Sequence, residues 1–388
     1  VNAATGPLTR PQVAVAAAGA VTCLGGSVEA TWEGLLAGRS GLGPVGLFPV
    51  EGIRSAIGGV VDGLPGLRGG ERLVRLAVQA LRPALARAEQ QGLTRDQLRD
   101  AWVVLGVSLG DIFEQGGPDV ELDHFWEDIA RELGLTGPVV PLSSACSSGT
   151  DAVAYGAELI ATGIADVVLA VGLDSLEPNK FSGHAGLKTM SPDRCRPYDA
   201  ESDGTTLAEA ACCLVLAGEG LVAGAGRPLG WVRGWAASTD VDSLTSPDMS
   251  GRNASRMIGE ALAMAGGSVG QVGYLNGHGS GTPVNDEMEA AVYRAAFPAG
   301  DVPVSATKGA LGHTLGATGT VEALATLLAL RDRTVPPTAG LRGTHPRWDG
   351  IPVVIDRQVS LDERPLGVSV TYGFGGANSC LVLSGGAR

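Results

Sequence analysis

Short apolar runs recur along the chain between segments of helical periodicity: Val13 to Ala18, Trp102 to Val107, Val167 to Val171, Cys213 to Leu216, Val272 to Leu275, Val302 to Ser305, Val353 to Ile355, Leu366 to Val370 and Cys380 to Leu383. Runs of this length with little polar alternation read as strands buried on both faces. Interleaved with helices, they imply parallel or mixed sheets covered on both sides, an α/β architecture. Helices are clearest over about 150–162 and 319–331; the second ends at Arg331, where the helix dipole favours a cation. Ser27 precedes the amphipathic stretch SVEATWEGLLAG and is placed to cap it. The stretch 222–230, VAGAGRPLG, is the best candidate for a link between two halves, although residue identity alone shows no internal repeat.

One of the polar punctuation points carries a thiol. Ser143-Ser144-Ala145-Cys146-Ser147-Ser148-Gly149-Thr150 sets a cysteine among small residues where a strand turns into the helix at 150–162. A helix N-terminus offers free N–H groups and a partial positive charge, so it favours a thiolate and can hold an oxyanion. Two further glycine-rich segments each hold one histidine: His278 in YLNGHGSGTPVND and His313 in SATKGALGHTLG. A third, YGFGGAN, places Phe374 in a glycine loop of a chain that is only 4% aromatic, which suggests a gate more than core packing. Of the other histidines, His184 lies between the cysteine and RPYD and is placed to line a pocket; His124 and His345 read as surface and loop residues.

Composition narrows the partners. With 388 residues and 44% hydrophobic content the chain can bury a large core. The net charge of −13 argues against nucleic acid and anionic membranes, which need a basic surface. Only Lys180, Lys188 and Lys308 among the 28 basic residues are lysines, so Lys308 stands out beside two histidine motifs. Six irregularly spaced cysteines suit neither a disulfide framework nor a zinc site, and the uncharged stretch from Pro11 to Val28 reads as a buried strand and turn, not a leader. A reducing, cytoplasmic setting is expected.

These motifs, in this order, resemble the elongating β-ketoacyl-acyl carrier protein synthases of the thiolase-fold condensing enzymes: ACSSG with Cys146, GHGSGT with His278, TKGALGH with Lys308 and His313, and GFGGAN, with RPYDAESDG and GATGTVEAL between. HGSGT followed by Asn285-Asp286, and VPPTAG at 335–340, are most similar to discrete bacterial type II polyketide ketosynthases. The resemblance implies a thiolase-like fold of two stacked αβαβα halves, residues 1–224 carrying Cys146 and residues 225–388 carrying both histidines.

It also implies a decarboxylative Claisen condensation between an acyl chain on Cys146 and malonyl on a carrier. His278 and His313 would act on the malonyl unit, with Lys308 and Glu322 supporting them. The N–H groups of Cys146 and Phe374 would form an oxyanion hole, with Phe374 as gate. No metal or organic cofactor is expected, since substrates would ride on the phosphopantetheine of a free-standing acyl carrier protein. An acidic carrier needs a local basic patch, for which Arg68, Arg72 and Arg75 are candidates. A dimer is implied, either a homodimer or a heterodimer with a chain-length-factor-like subunit.

Several positions depart from the family pattern. Thr205 replaces a phenylalanine, Ala208 and Ala210 replace glycines, Ala377 replaces a threonine, and the 110–141 segment is short, so the acyl pocket is not inherited. The leading alternative is a ketosynthase-like acyltransferase that passes the acyl group to a non-malonyl acceptor. A thiolase would need a cysteine where Phe374 stands, and a chain-length factor lacks the nucleophile.

Overall fold

The computed structural model describes residues 12–112, 121–222, 227–241, 243 and 246–386. The expected boundary at 224/225 and part of the short 110–141 segment lie outside the described residues.

Ten strands form one sheet. The first half supplies β1 (Val13–Val21), β2 (Trp102–Gly106), β3 (Val139–Leu142), β4 (Val167–Asp174) and β5 (Ala210–Gly218); the second supplies β6 (Gly230–Thr239), β7 (Val272–Asn276), β8 (Val304–Ser305), β9 (Leu366–Tyr372) and β10 (Ala377–Gly385). Their order is β8-β7-β9-β10-β6-β1-β5-β4-β2-β3. Each half is therefore the mirror of the other in strand order, with β1 standing to β6 as β2 to β7, β3 to β8, β4 to β9 and β5 to β10. Pairing directions repeat as well: β3-β2-β4 and β8-β7-β9 are parallel, and the strands that follow are antiparallel. The halves join where β1 pairs with β6.

Helices α1 (Gly69–Gln90), α2 (Ser148–Ala161), α3 (Pro178–Gly186), α4 (Arg252–Met264), α5 (Pro283–Ala296) and α6 (Thr318–Asp332) complete the layers. Helix α1 covers β1 and β5, α2 and α6 pack on each other between the two halves of the sheet, and α4 covers β6 and β10 with α5 beside it. The five layers are thus built by both halves together. Helix α6 is buried on every side from Thr318 to Leu330, which explains its nearly continuous apolar and small-residue sequence. Ser27 caps its helix as expected, its Oγ accepting from the Ala30 N–H at 3.1 Å.

The internal duplication is most exact at the entries to the two central helices. Ala145 and Leu315 both adopt a left-handed backbone, with φ of 53° and 51°, and each opens a 3₁₀ turn that runs into α2 or α6. Ser147-Ser148-Gly149-Thr150 corresponds to Ala317-Thr318-Gly319-Thr320. Glycine is required here by contact: a Cβ at Gly319 would lie 2.0 Å from the Thr150 nitrogen, and one at Gly149 would lie 2.7 Å from the Gly316 oxygen. The two helix starts touch backbone to backbone, which brings segments distant in sequence to one point.

Two strand expectations change. The run Val353 to Ile355 makes only a bridge from Val353 to Val304, and β6, which joins the halves, carries no clear apolar run. Its alternating burial within GWVRGWAAST explains why continuous hydrophobicity does not reveal it.

Candidate active site

Strand β3 delivers the chain to the Ala145 turn, and Cys146 follows, buried at the entry to α2. Burial pushes its thiol up to about 11; the charge of Lys308 and the backbone N–H groups of Phe374 and Cys146 pull in the opposite direction. Against the expectation of a favoured thiolate, desolvation outweighs the donors and the thiol form is favoured in the resting site.

The corresponding turn in the second half is chemically closed. Gly316 stands where Cys146 stands, and its N–H donates to Asp174 Oδ2 at 2.8 Å; the same carboxylate accepts from the Ser108 N–H and is held by Lys180. A carboxylate from the chain itself fills the second turn, whereas Cys146 in the first lines an open cavity.

His278 follows β7, and His313 sits between a short helical turn, Lys308–Leu311, and the Leu315 turn. Their rings lie 5.5 Å apart, edge to face. Lys308 Nζ is 3.2 Å from His278 Nδ1, and an ammonium has no lone pair, so Nδ1 accepts and the imidazole proton resides on Nε2. The Leu315 N–H donates to His313 Nδ1 at 3.0 Å and sets the same tautomer. Both rings are held well below the usual histidine range by burial first and the Lys308 charge second. The result is two neutral imidazoles, each with an Nε2–H left to donate.

Lys308 is anchored in turn. Its ammonium donates to the His278 carbonyl at 2.6 Å and to Glu322 Oε1 at 2.6 Å, so its three N–H bonds are all used. Burial pushes the Glu322 carboxyl up to about 7 against the pull of Lys308, and the Thr307 hydroxyl donates to the same oxygen at 3.2 Å.

The Phe374 loop closes the site from the far half. Ser147 Oγ donates to the Ala377 carbonyl at 2.6 Å, and the Ser379 hydroxyl donates to Asp151 at the start of α2. Gly376, with φ of 76°, has no room for a Cβ, which would lie 2.0 Å from the Asp240 oxygen. Cys146, His278, His313 and Phe374 line one cavity of about 320 Å³, with His184 and Tyr372 in the same wall.

The structure thus gathers every residue singled out for chemistry except the arginines. Arg72 is 1% exposed and forms a buried ion pair with Glu209 that also ties down the carbonyls of Leu64 and Val61, so it is structural and not part of a docking surface. Its position on the inner face of α1 is why it differs from Arg68 and Arg75, which are exposed; Arg75 pairs with Glu132 at 2.6 Å. Glu209 precedes a strand and serves this ion pair. His184 lies on α3 with its ring 5.8 Å from that of Phe374, and burial pushes it down to about 4. Sequence reasoning missed Tyr372, whose only signal was its place at the end of an apolar strand just before the Phe374 loop.

The comparisons with known proteins agree with this geometry. Residues 127–219 match the family description "Beta-ketoacyl synthase, N-terminal domain" and residues 229–342 match "Beta-ketoacyl synthase, C-terminal domain". The tetracenomycin polyketide synthase ketoacyl synthase alpha subunit of Streptomyces glaucescens is 32% identical over 93% of this chain and 94% of that one. The 3-oxoacyl-(acyl-carrier-protein) synthase 2 of Vibrio cholerae serotype O1 is 28% identical over 97% and 99%. A solved structure titled "The ishigamide ketosynthase/chain length factor" superposes with a TM-score of 0.88 at 29% identity, covering 97% of this chain and 100% of that chain. The chain belongs to the β-ketoacyl synthase family, thiolase-fold acyltransferases that join acyl units by Claisen condensation in polyketide or fatty acid synthesis.

Proposed function

We propose that Cys146 takes an acyl group from a carrier phosphopantetheine and that His278 and His313 act together on a malonyl unit brought by a second carrier. In the loading step the Cys146 sulfur attacks the thioester carbonyl, the carrier thiol leaves, and the proton passes from one thiol to the other. The N–H groups of Cys146 and Phe374, both at the sulfur, support an oxyanion hole there.

In the condensing step malonyl loses CO₂ and its electron pair moves into the thioester as an enolate. Negative charge then grows on the thioester oxygen, where two Nε2–H donors stabilise it. The enolate carbon attacks the acyl-cysteine, the carbon–sulfur bond to Cys146 breaks, and a β-ketoacyl carrier two carbons longer departs as the thiolate regains a proton. The carrying observation is the matched tautomer of the two neutral histidines in one cavity with the thiol. Simple acyl transfer to an alcohol or amine gives two such donors no task.

The carrier reading rests on the name of the Vibrio relative, a synthase acting on an acyl-carrier-protein substrate. Arg68 and Arg75 remain the docking candidates. A dimer is supported by β3, which among the described residues pairs with β2 alone and so ends the sheet with an edge of the kind that a second subunit can cover. The solved relative, named as a ketosynthase/chain length factor, supports an unlike partner; a homodimer is the other arrangement.

Intact-protein mass spectrometry of the wild type and Cys146→Ala, given acyl-carrier donors and then malonyl-carrier, tests the reading. Acylation confined to the wild type and then cleared by malonyl-carrier with a β-ketoacyl product is the expected result. Acylation that persists with malonyl-carrier and clears with an amine or alcohol would favour the acyltransferase alternative.

A further inference from the structure

Tyr372 lines the same cavity at the end of β9, with its ring 5.8 Å from that of His278 and nearly edge to face. The residue is 7% exposed, and its buried hydroxyl has no hydrogen-bond partner among the described residues. Among the described residues the Thr205 hydroxyl of the same cavity is also without a partner, whereas the other polar neighbours are satisfied. Lys308 uses all three N–H bonds, Asn378 donates to Asp240 at 3.2 Å, and Ser280 and Thr282 hydrogen-bond each other at 2.9 Å. A phenylalanine would fill the same volume without an unpaired hydroxyl. A buried hydroxyl without a partner weakens the fold, so its presence beside a site calls for a ligand that supplies the missing bond.

We propose that the Tyr372 hydroxyl donates a hydrogen bond to the carboxylate of the bound malonyl unit. The inference rests on the condensation reading above and adds to it the residue that recognises the extender's acidic end. A malonyl thioester offers two acceptor ends, the thioester oxygen and the carboxylate. The two Nε2–H donors suit the first, which gains charge in the reaction. The second needs a donor near His278, and Tyr372 is there.

A neutral phenol suits this role chemically. Burial first, with the nearby acidic groups Glu289 and Asp240 and the Cys380 thiol adding to it, keeps the hydroxyl protonated across the physiological range. A cation in its place would stabilise the carboxylate strongly and oppose its loss as CO₂. A single neutral donor orients the group while leaving decarboxylation downhill.

The test is Tyr372→Phe, measured in three ways on the full chain. The KM of acyl-loaded enzyme for malonyl-carrier is set beside the inhibition constant of acetyl-carrier, which differs only in lacking the carboxylate. Malonyl-carrier should weaken by about ten- to a hundredfold, the range for a hydrogen bond to a charged group, while acetyl-carrier is unchanged. Acylation of Cys146 by acyl-carrier should keep its wild-type rate. The melting temperature should stay equal or rise, because the variant removes an unpaired buried hydroxyl.

Equal loss for malonyl- and acetyl-carrier, no loss for either, or a lowered melting temperature would each overturn the proposal. The last would reveal a structural partner for the hydroxyl. If the wild type itself neither binds nor decarboxylates malonyl-carrier, the condensation reading fails and this inference falls with it. A wild type that decarboxylates malonyl-carrier with an indifferent Tyr372→Phe variant removes the inference alone.

Discussion

Lys308 grips His278 at two atoms, its carbonyl oxygen at 2.6 Å and its Nδ1 at 3.2 Å, while Glu322 holds the same ammonium from the other side. The lysine therefore fixes both the position of the ring and the nitrogen that bears its proton. Lys308→Met should destabilise the fold by about 3–5 kcal/mol, because it leaves a buried carboxylate without its partner. The double variant Lys308→Met/Glu322→Gln should recover much of that loss in urea denaturation. Condensation should stay impaired in both, since neither restores the donor to Nδ1.

The buried Cys146 thiol has a related consequence. Its pKa of about 11 lies above the ordinary value of 9.0, so thiolate is scarce near neutrality and its fraction grows with pH. Alkylation of Cys146 by iodoacetamide should rise by about tenfold per unit between about pH 7 and 10 without levelling off. Because the Lys308 charge favours the thiolate, Lys308→Met should lower the whole curve. A plateau below the ordinary value would mean that the helix start and the N–H donors outweigh burial.

The close approach of α2 and α6 is tested by glycine. Gly319→Ala places a methyl 2.0 Å from the Thr150 nitrogen, a collision with backbone that cannot move aside cheaply. It should destabilise by about 3 kcal/mol or more, as overpacking of a rigid contact does. Gly259→Ala, in the middle of α4 with open space around it, should instead stabilise by about 0.5–1 kcal/mol. Thermal melts of the two variants against the wild type compare them directly.

Arg72 and Arg68 separate structure from docking. Arg72→Met strands Glu209 in the interior and should cost about 3–5 kcal/mol of stability with no specific effect on the KM for carrier. Arg68→Ala, at the exposed start of α1, should leave the melting temperature within about 1 °C while raising that KM, with the effect fading at high salt.

Much of the site was legible because its chemistry demands rare residues in set company. Cys146, His278, Lys308 and His313 each sit among glycines and small residues that later prove to be contact points between backbones, so motif and geometry coincide. The duplication was not legible, since the two turns share a backbone shape and a closely packed glycine but little else: Cys146 answers to Gly316, and only Gly149-Thr150 repeats as Gly319-Thr320. Arg72 was misread because sequence does not separate an arginine bound for the surface from one paired with a buried carboxylate 137 positions away; Arg68 is the extended residue just before α1, whereas Arg72 lies within the helix beside the buried Leu73 and Val74. Tyr372 was passed over for the opposite reason. Nothing in an apolar strand marks one hydroxyl as unpaired until the neighbours are in place.

The central claim is that two neutral, Nε2–H-bearing histidines drive malonyl decarboxylation at the acylated thiol. Its most direct test is rapid-quench measurement of CO₂ release from malonyl-carrier on enzyme already acylated at Cys146, comparing the wild type with His278→Ala and His313→Ala. Each variant should still acylate, yet release CO₂ about a hundred- to a thousandfold more slowly. Release at the wild-type rate by either variant would contradict the account.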